Sequence, residues 1–584
     1  MSEHILQGPE ALPVPNVSLG RYLLQRLREH GDEQYQIDAV SGVKTTFSEV
    51  LWKSTSLAES LRSHGVGVDD VVGVASVNSL EFCLPVLAAY YLGATCATFN
   101  PLYTVHCMFV KHASNIFPGE LSHALNISKP SIIFCSPTCV SKIEEASEGL
   151  LFVRKLVVLG DGTPMSSGQV PFHSFMQREA AADFAAVDVD PDQHVAAILC
   201  SSGTTGLPKG VMLTDRNIIS CITNLADNRF GQLNSNNTQL AVLPFFHAYA
   251  YACQLASLII GFRVIVLPKF EEELLLKSIQ DHKVTLLFLV PTLLVFLGKS
   301  PKVDLYDLSS VKEIWCGAAP LSKEVQDQVT NRLKIRNVRQ GYGLTETTLA
   351  VTFISGGRNK YGSCGTIAPG MTAKVVDLET GATLGPNCSG ELCFKGPLIM
   401  KGYLGDLQAT SATMDDDGFL RTGDVGYYDQ EGYFYIVERV KELIKYKSFQ
   451  LSVVYKDNLS SPLALNITSF VKLNSLMRYP SGITISQWHY DANVSSKMLE
   501  NIMDRQQLSV HEALNFAYHE EVPPAELEAI LLTHPSVQDA AVIGIPDEMS
   551  GELPMAFIVR QPGATINSEM VTRFVAGEVQ GFKG

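Results

Sequence analysis

Short apolar runs recur along the chain: VVGVAS from Val71, SIIFC from Ser131, KLVVLG from Lys155, AAILCSS from Ala196, RVIVLP from Arg263 and TLLFLV from Thr285. Continuous apolar runs of this length suit strands buried on both faces. Between them lie segments with helical spacing, such as TTFSEVLWKSTSLAESLRSHG from Thr45 to Gly65. The alternation predicts an α/β protein, with parallel sheets covered by helices. The longest uncharged run, Phe82 to Phe99, is long enough to consider a membrane span. Pro85, Gly93 and several small polar residues interrupt it, so it predicts a buried helix feeding a buried strand, and no transmembrane segment.

From about Gly356 to Tyr435 the pattern changes to strands separated by Gly, Pro and Asp turns, as in AKVVDLETGATLGPNCSGELCFKG. This predicts a compact β subdomain. Beyond it, YIVERVKELIKYKSFQ leads into a smaller final region, where VPPAELEAILLTHPSVQDAAVIGIPDEMSGELPMAFIV reads as a helix followed by two strands.

At 584 residues the chain can hold two or more domains, and 46% hydrophobic with 18% charged residues fits a folded globular protein. A net charge of −15, from 45 basic and 60 acidic residues, argues against a general nucleic-acid binder, which would present a basic face. The start of the chain has no basic head followed by an apolar run, so no signal peptide is expected. The 12 cysteines include no CxxC pair and read as reduced thiols in an intracellular compartment.

One stretch carries chemistry on its face. In AILCSSGTTGLPKGVMLT an apolar strand gives way to SSGTTGLPKG, residues 201 to 210, and LTDRNIIS then starts a helix. Glycines let backbone N–H groups approach phosphate oxygens, the Ser and Thr hydroxyls add donors, and Lys209 adds a charge. A strand–loop–helix order would also set a helix dipole nearby. The segment is not a Walker A loop, because Lys209 follows Pro208 and precedes Gly210, leaving neither the glycine nor the magnesium-binding hydroxyl in place.

This segment resembles the phosphate-binding signature of the adenylate-forming superfamily, which contains acyl-CoA synthetases, coumarate-CoA ligases and beetle luciferases. Further signatures follow in order: LPFFHAY (243–249), CGAAPLSKE (316–324), QGYGLTETT (340–348), RTGDVGYYD (421–429) and ERVKELIKYKSFQ (438–450). The resemblance covers nearly the whole chain. It implies a large N-terminal domain, residues 1–437, of two layered βα subdomains plus a β subdomain. A small mobile α+β C-terminal domain, 438–584, would follow. The implied reaction joins a carboxylic acid to CoA with ATP through an acyl-adenylate, releasing pyrophosphate and AMP. A medium or long fatty acid is the expected substrate, since Phe246, Tyr249 and Tyr251 suggest an apolar pocket; an aromatic acid of the coumarate kind is the alternative. A luciferase-like oxidation shares the same first half-reaction and stands third.

By the same resemblance, Ser201, Ser202, Gly203, Thr204, Thr205, Gly206 and Lys209 would cradle the phosphates, and Gly317, Ala318 and Ala319 would lie flat against adenine. Gly341, Tyr342 and Gly343 would complete the nucleotide pocket. Thr345 would touch a phosphate and Glu346 would hold magnesium. Asp424 would grip the ribose hydroxyls, with Arg439 a second ribose and phosphate contact at the hinge between domains. His247 would sit at the acyl and magnesium end, and Lys447 would assist thioester formation after the small domain rotates. Oligomeric state is not legible.

Three departures qualify the match. Residues 451–521 intervene where the relatives run directly from the Gln450 strand to Val522, and Cys107 to Gly119 splits NPLYTVH from ELSHALNISKP. Both read as translated intron sequence or an erroneous gene model, with a lineage-specific extension as the rival. Comparing transcript with genomic DNA separates the two. The third departure is at the end, where the chain stops before a family Pro-x-x-x-x-Gly-Lys loop whose lysine reaches the reacting groups. Lys583 is not in that motif, so adenylation is expected to fall by roughly a hundred- to a thousandfold. A nucleotide- or acyl-binding pseudoenzyme is therefore the alternative from another class. Ser448 stands where the family usually has glycine after the thioester lysine. The terminal Phe-Lys-Gly is not a Ser-Lys-Leu address, leaving cytoplasm or peroxisome open.

Overall fold

The computed structural model describes residues 4–103, 119–160, 166, 168–201, 208–336, 338–356, 360–439, 443–446, 449–452, 470–472, 531–532, 534–547, 551–561, 564, 566, 570–571 and 574. The chain divides into two compact units. The first holds Met1–Cys388, Leu392–Thr422 and Tyr427–Tyr435; the second holds Ser389–Glu391, Gly423–Gly426 and Ile436–Gly584.

Two large sheets dominate the first unit. One has eight strands in the order Gly402–Tyr403, Lys209–Thr214, Val195–Ser201, Thr95–Thr98, Val71–Ala75, Ile132–Cys135, Lys155–Val158 and Gln169–Pro171. From Val195–Ser201 outward every pairing is parallel, while Lys209–Thr214 and Gly402–Tyr403 join antiparallel at the other edge. The second sheet has nine strands: Thr366–Ile367, Ala350–Phe353, Val338–Gly343, Glu313–Cys316, Leu286–Leu289, Thr238–Ala241, Arg263–Val266, Gln34–Asp38 and Lys44–Thr46. Its inner pairings are parallel too. A smaller sheet runs Leu6–Gln7, Thr372–Val376, Gly390–Lys395, Leu420–Tyr428 and Phe434–Arg439, with Thr383–Leu384 paired to Thr372–Val376. The α/β architecture read from the apolar runs is therefore the one observed, and all six runs form strands.

The uncharged stretch from Phe82 behaves as its interruptions predict. Helix Cys83–Tyr91 is buried at all of its positions, Gly93 turns the chain with φ +67°, and strand Thr95–Thr98 inserts between two parallel neighbours. Among the described residues no helix is long and apolar enough to cross a membrane. Helix Phe47–Ser63 starts at a capping box: Glu49 N donates to Thr46 Oγ1 at 3.1 Å, and Thr46 N to Glu49 Oε2 at 2.9 Å. Eleven described cysteines are free thiols: nine are buried, Cys200 is partly buried and Cys388 is exposed. Cys107 lies outside the described residues.

One buried ion pair ties three segments together. His194 Nδ1 bonds Asp215, its Nε2 meets Gly93 O at 2.8 Å, and Leu19 N donates to the other Asp215 oxygen. Both ring nitrogens face acceptors, so the ring satisfies both only as imidazolium. Burial works against that charge, but the hydrogen bond and charge of Asp215 outweigh it and raise the pKa above 6.5. A His raised in the folded state adds stability that is complete below pH 6.5 and is lost as pH climbs through the folded value. The unfolding free energy lost on His194→Ala should therefore be larger at pH 6 than at pH 8.5, as read by urea titration; equal losses at both values would refute the charged pair.

In the second unit, Leu443–Tyr446 and Phe449–Ser452 form an antiparallel hairpin. Val537–Asp547 and Gly551–Arg560 pair antiparallel around a core that includes Leu531, Val537, Ala540, Ala556 and Ile558. The two expected strands are present; most of the helix expected before them lies outside the described residues. Phe470–Lys472, within the stretch set apart as an insert, pairs antiparallel with Gly551–Arg560. That part of the insert joins the small sheet. The remainder of 451–521 beyond Ser452, and residues 107–118, lie outside the described residues.

Candidate functional site

The phosphate-loop candidate is the tip of a hairpin. Strand Val195–Ser201 turns back into Lys209–Thr214, with Lys209 opposite Ser201. The helix read at LTDRNIIS is present as Asp215–Ala226, capped by Thr214, but the six-residue strand Lys209–Thr214 stands between it and the loop. At about 3.3 Å per residue the helix start lies roughly 20 Å along the chain from the loop, too far for its dipole to act there. Ser202, Gly203, Thr204, Thr205 and Gly206 lie outside the described residues. Ser201 Oγ is buried and, among the described residues, has no hydrogen-bond partner. An orphaned hydroxyl at the mouth of this loop suits an acceptor supplied by a ligand.

The second element is the carboxyl end of strand Val338–Gly343, the side of a parallel sheet where ligands characteristically bind. Gly341 through Glu346 are all partly exposed there. A methyl on Gly343 would fall 1.6 Å from Leu349 O, so only glycine fits this close return of the chain. Thr345–Thr347 form one 3-10 turn, braced by Leu344 N donating to Thr347 Oγ1 at 2.7 Å. Thr348 follows with φ +63° and ψ −43°, and Leu349 N closes on Thr347 O at 2.6 Å. These values describe a classic γ-turn, a strained conformation for a β-branched residue. Backbone strain of this kind persists only where surrounding bonds over-determine it.

Those bonds come from one segment, Leu398–Leu404. Thr348 Oγ1 donates to Leu398 O at 2.7 Å, and Met400 N to Glu346 O at 2.9 Å. The same segment grips the hairpin: Lys401 N donates to Met212 O at 2.9 Å and Leu404 N to Gly210 O at 2.8 Å. Its Tyr403 hydroxyl donates to Glu346 Oε1 at 2.9 Å, and the Lys209 ammonium stands over the Tyr403 ring, 4.7 Å from its centre. Burial, then the neighbouring Glu346 charge, push the phenol pKa up, so Tyr403 remains a donor. Sequence reasoning missed Tyr403; in MKGYLGD nothing local marks it, and only its pairing opposite Val211 brings it to Lys209 and Glu346.

Helix Ala248–Ile260 begins at His247, whose Nδ1 accepts from Tyr249 N at 3.4 Å. The ring is solvent-accessible yet closely surrounded by protein, as a cleft-lining residue is, and that desolvation lowers its pKa below 6.5. It is a neutral imidazole at pH 7. Tyr249 donates to Trp315 O at 3.2 Å, and a Cβ on Gly317 would lie 3.4 Å from Gly341 O and 3.7 Å from the Tyr249 ring. The candidate adenine and nucleotide glycines thus converge beside the helix that His247 starts. Ala318 takes φ +70°, with Ala319 exposed beside it. Tyr251, which the sequence offered as lining for an acyl pocket, is fully buried and bonded through its hydroxyl to that of Tyr90.

In the second unit Asp424 is buried and pairs with Arg439, Nε to Oδ1 3.1 Å. Lys447 lies outside the described residues.

The donors that converge around Glu346 fit a magnesium nucleotide. Mg²⁺ usually takes one or two carboxylates plus phosphate oxygens and water, so a single glutamate suffices. Among the described residues there is no cluster of three or more His, Cys, Asp or Glu.

A model of the AMP-binding enzyme family matches residues 24–404, and that of the AMP-binding enzyme C-terminal domain matches 526–583. The chain belongs to the AMP-binding enzyme family. It is 36% identical to a luciferin 4-monooxygenase of Nipponoluciola cruciata, an alignment covering 100% of this chain and 92% of that one. It is 34% identical to 4-coumarate–CoA ligase 3 of Oryza sativa subsp. japonica, covering 97% and 87%. The fold matches that of ATP-bound MatB from Rhodopseudomonas palustris with a TM-score of 0.72 at 24% identity, over 96% and 92% of the two chains. This AMP-binding enzyme therefore has the adenylate-forming fold that its ordered motifs imply.

Proposed function

We propose that this AMP-binding enzyme is an acid–thiol ligase. A carboxylate oxygen attacks the α-phosphorus of ATP and pyrophosphate leaves; the CoA thiolate then attacks the acyl carbon and AMP leaves. The observation that carries this reading is the Lys209–Tyr403–Glu346 array between the hairpin and the Thr345 turn. Two anions must meet in the first step, so fixed positive charge and donors have to be in place beforehand.

Lys209 and the 201–206 loop would hold the triphosphate, and Thr345 would donate to a phosphate oxygen. Glu346 would hold Mg²⁺, which when bound neutralises charge on the departing pyrophosphate. Gly317, Ala318 and Ala319 would flank adenine, with Gly341, Tyr342 and Gly343 behind it. His247, kept neutral, would face the acyl end without repelling the metal. Asp424 would accept from the ribose hydroxyls, Arg439 would contact ribose and phosphate, and Lys447 would serve thioester formation.

The preferred acid is a medium or long-chain fatty acid, since Phe246 and Tyr249, both partly exposed beside His247, offer apolar surface to an acyl chain. Similarity to the 4-coumarate ligases supports an aromatic acid as a second reading. Acid-dependent ATP–pyrophosphate exchange across a panel of fatty and aromatic acids, followed by mass detection of the CoA thioester, tests both. Exchange with fatty acids and a thioester product is the expected result. Measurable ATP binding with no exchange for any acid would leave a nucleotide-binding protein instead, and light from a luciferin with oxygen would redirect the reading to oxidation.

A further inference from the structure

We propose that Tyr403 is a positioning residue that presets Glu346 for the metal and fixes its spacing from Lys209. The inference rests on the metal-holding role proposed for Glu346 and adds a residue that sets its geometry.

A lone glutamate on a 3-10 turn turns freely about its side-chain bonds, and a metal would have to freeze that freedom on binding. Here one oxygen is already held. The Tyr403 hydroxyl donates to Oε1 at 2.9 Å, and among the described residues Oε2 has no hydrogen bond. The tyrosine is itself fixed. It is 7% exposed, its backbone N donates to Thr410 Oγ1 at 2.9 Å, and it pairs with Val211 in the antiparallel edge of the eight-stranded sheet. Its neighbour Met400 holds the Glu346 carbonyl, so side chain and backbone of the glutamate are gripped by one segment.

The ring serves the other charge. With Lys209 over its face at 4.7 Å, one neutral side chain takes the ammonium on its π surface and the carboxylate on its hydroxyl. A direct Lys–Glu ion pair would cancel both charges; a phenol between them keeps the cation available to phosphate and the anion to metal. Leu398–Leu404 bonds both to Gly210 and Met212 of the hairpin and to Glu346 and Thr348 of the turn. The distance between the phosphate-loop stem and the glutamate is therefore set by this strap.

The test is ATP binding by calorimetry, with Mg²⁺ and with EDTA, on the full chain. Tyr403→Phe keeps the ring and removes only the hydroxyl. It should weaken binding of Mg²⁺–ATP about three- to tenfold, the scale of one charge-assisted hydrogen bond partly transmitted to the ligand, and leave binding in EDTA unchanged. In a Glu346→Gln background the same substitution should add nothing, because the residue it acts through has lost its charge. Tyr403→Leu, which also removes the π face, should weaken ATP binding in EDTA as well. Tyr403→Phe binding Mg²⁺–ATP like the wild type, while Glu346→Gln does not, would overturn the proposal and leave the metal role standing. A wild type whose ATP affinity ignores magnesium would overturn both. Equal losses in Mg²⁺ and EDTA would make Tyr403 a packing residue and overturn the positioning role.

Discussion

Glu346→Gln is expected to lower acid-dependent pyrophosphate exchange about 100- to 1,000-fold, the usual cost of removing one preorganised charge from a reacting centre. The substitution is nearly isosteric and Glu346 is partly exposed, so the fold should survive it. Glutamine still offers an oxygen to Tyr403, whose hydroxyl bonds Oε1, and what disappears is the charge that would hold Mg²⁺. The loss should therefore appear as a rise in the magnesium concentration needed for half-maximal exchange, together with a fall in kcat. A change below about threefold would remove Glu346 from the reaction. Thermal unfolding of the variant, unchanged from wild type, separates this from a folding defect.

The largest stability effect is expected at Arg339, buried at 2% exposure. Its Nε donates to Ile354 O at 2.8 Å, Nη1 to Gly231 O at 2.9 Å and to Glu313 Oε2 at 3.2 Å, and Nη2 to Phe230 O. Phe353 and Trp315 cover the guanidinium at 4.5 and 5.0 Å. Burial lowers its pKa, and the Glu313 charge opposes that. Arg339→Ala leaves the carbonyls of Phe230, Gly231 and Ile354 and a glutamate without this partner, at a cost of about 3–5 kcal/mol. Arg339→Lys should recover only part, since an ammonium cannot reproduce the planar fork. Urea titration of the first unit's transition reads both. A loss below about 1 kcal/mol for alanine would mean the network relaxes around water.

The ordered motifs and the apolar runs made the family and the α/β class legible, because both are local. A continuous apolar run of strand length reports burial on both faces, as at Ile132–Cys135, and Thr46 with Glu49 reports a helix start. The candidate site was legible in part: Ser201, Lys209, Gly343, Thr345 and Glu346 stand on the hairpin and the strand end, and Gly317 and His247 cluster with Gly341 and Tyr249. The helix dipole assigned to the phosphate loop was not there, because KGVMLT reads equally as loop or strand until its partner Val195–Ser201 is known.

The amino-acid order alone determined which segments bury their side chains and where helices begin, since each depends on neighbours a few positions away, and its motifs named the candidates for nucleotide chemistry. The tertiary structure decided how those residues are held. Val211 opposite Tyr403, and Arg339 beside Phe230, Gly231 and Glu313, are contacts between distant stretches of chain. Strand register and buried hydrogen bonding are settled by what the whole core excludes from water, and no local pattern encodes that choice.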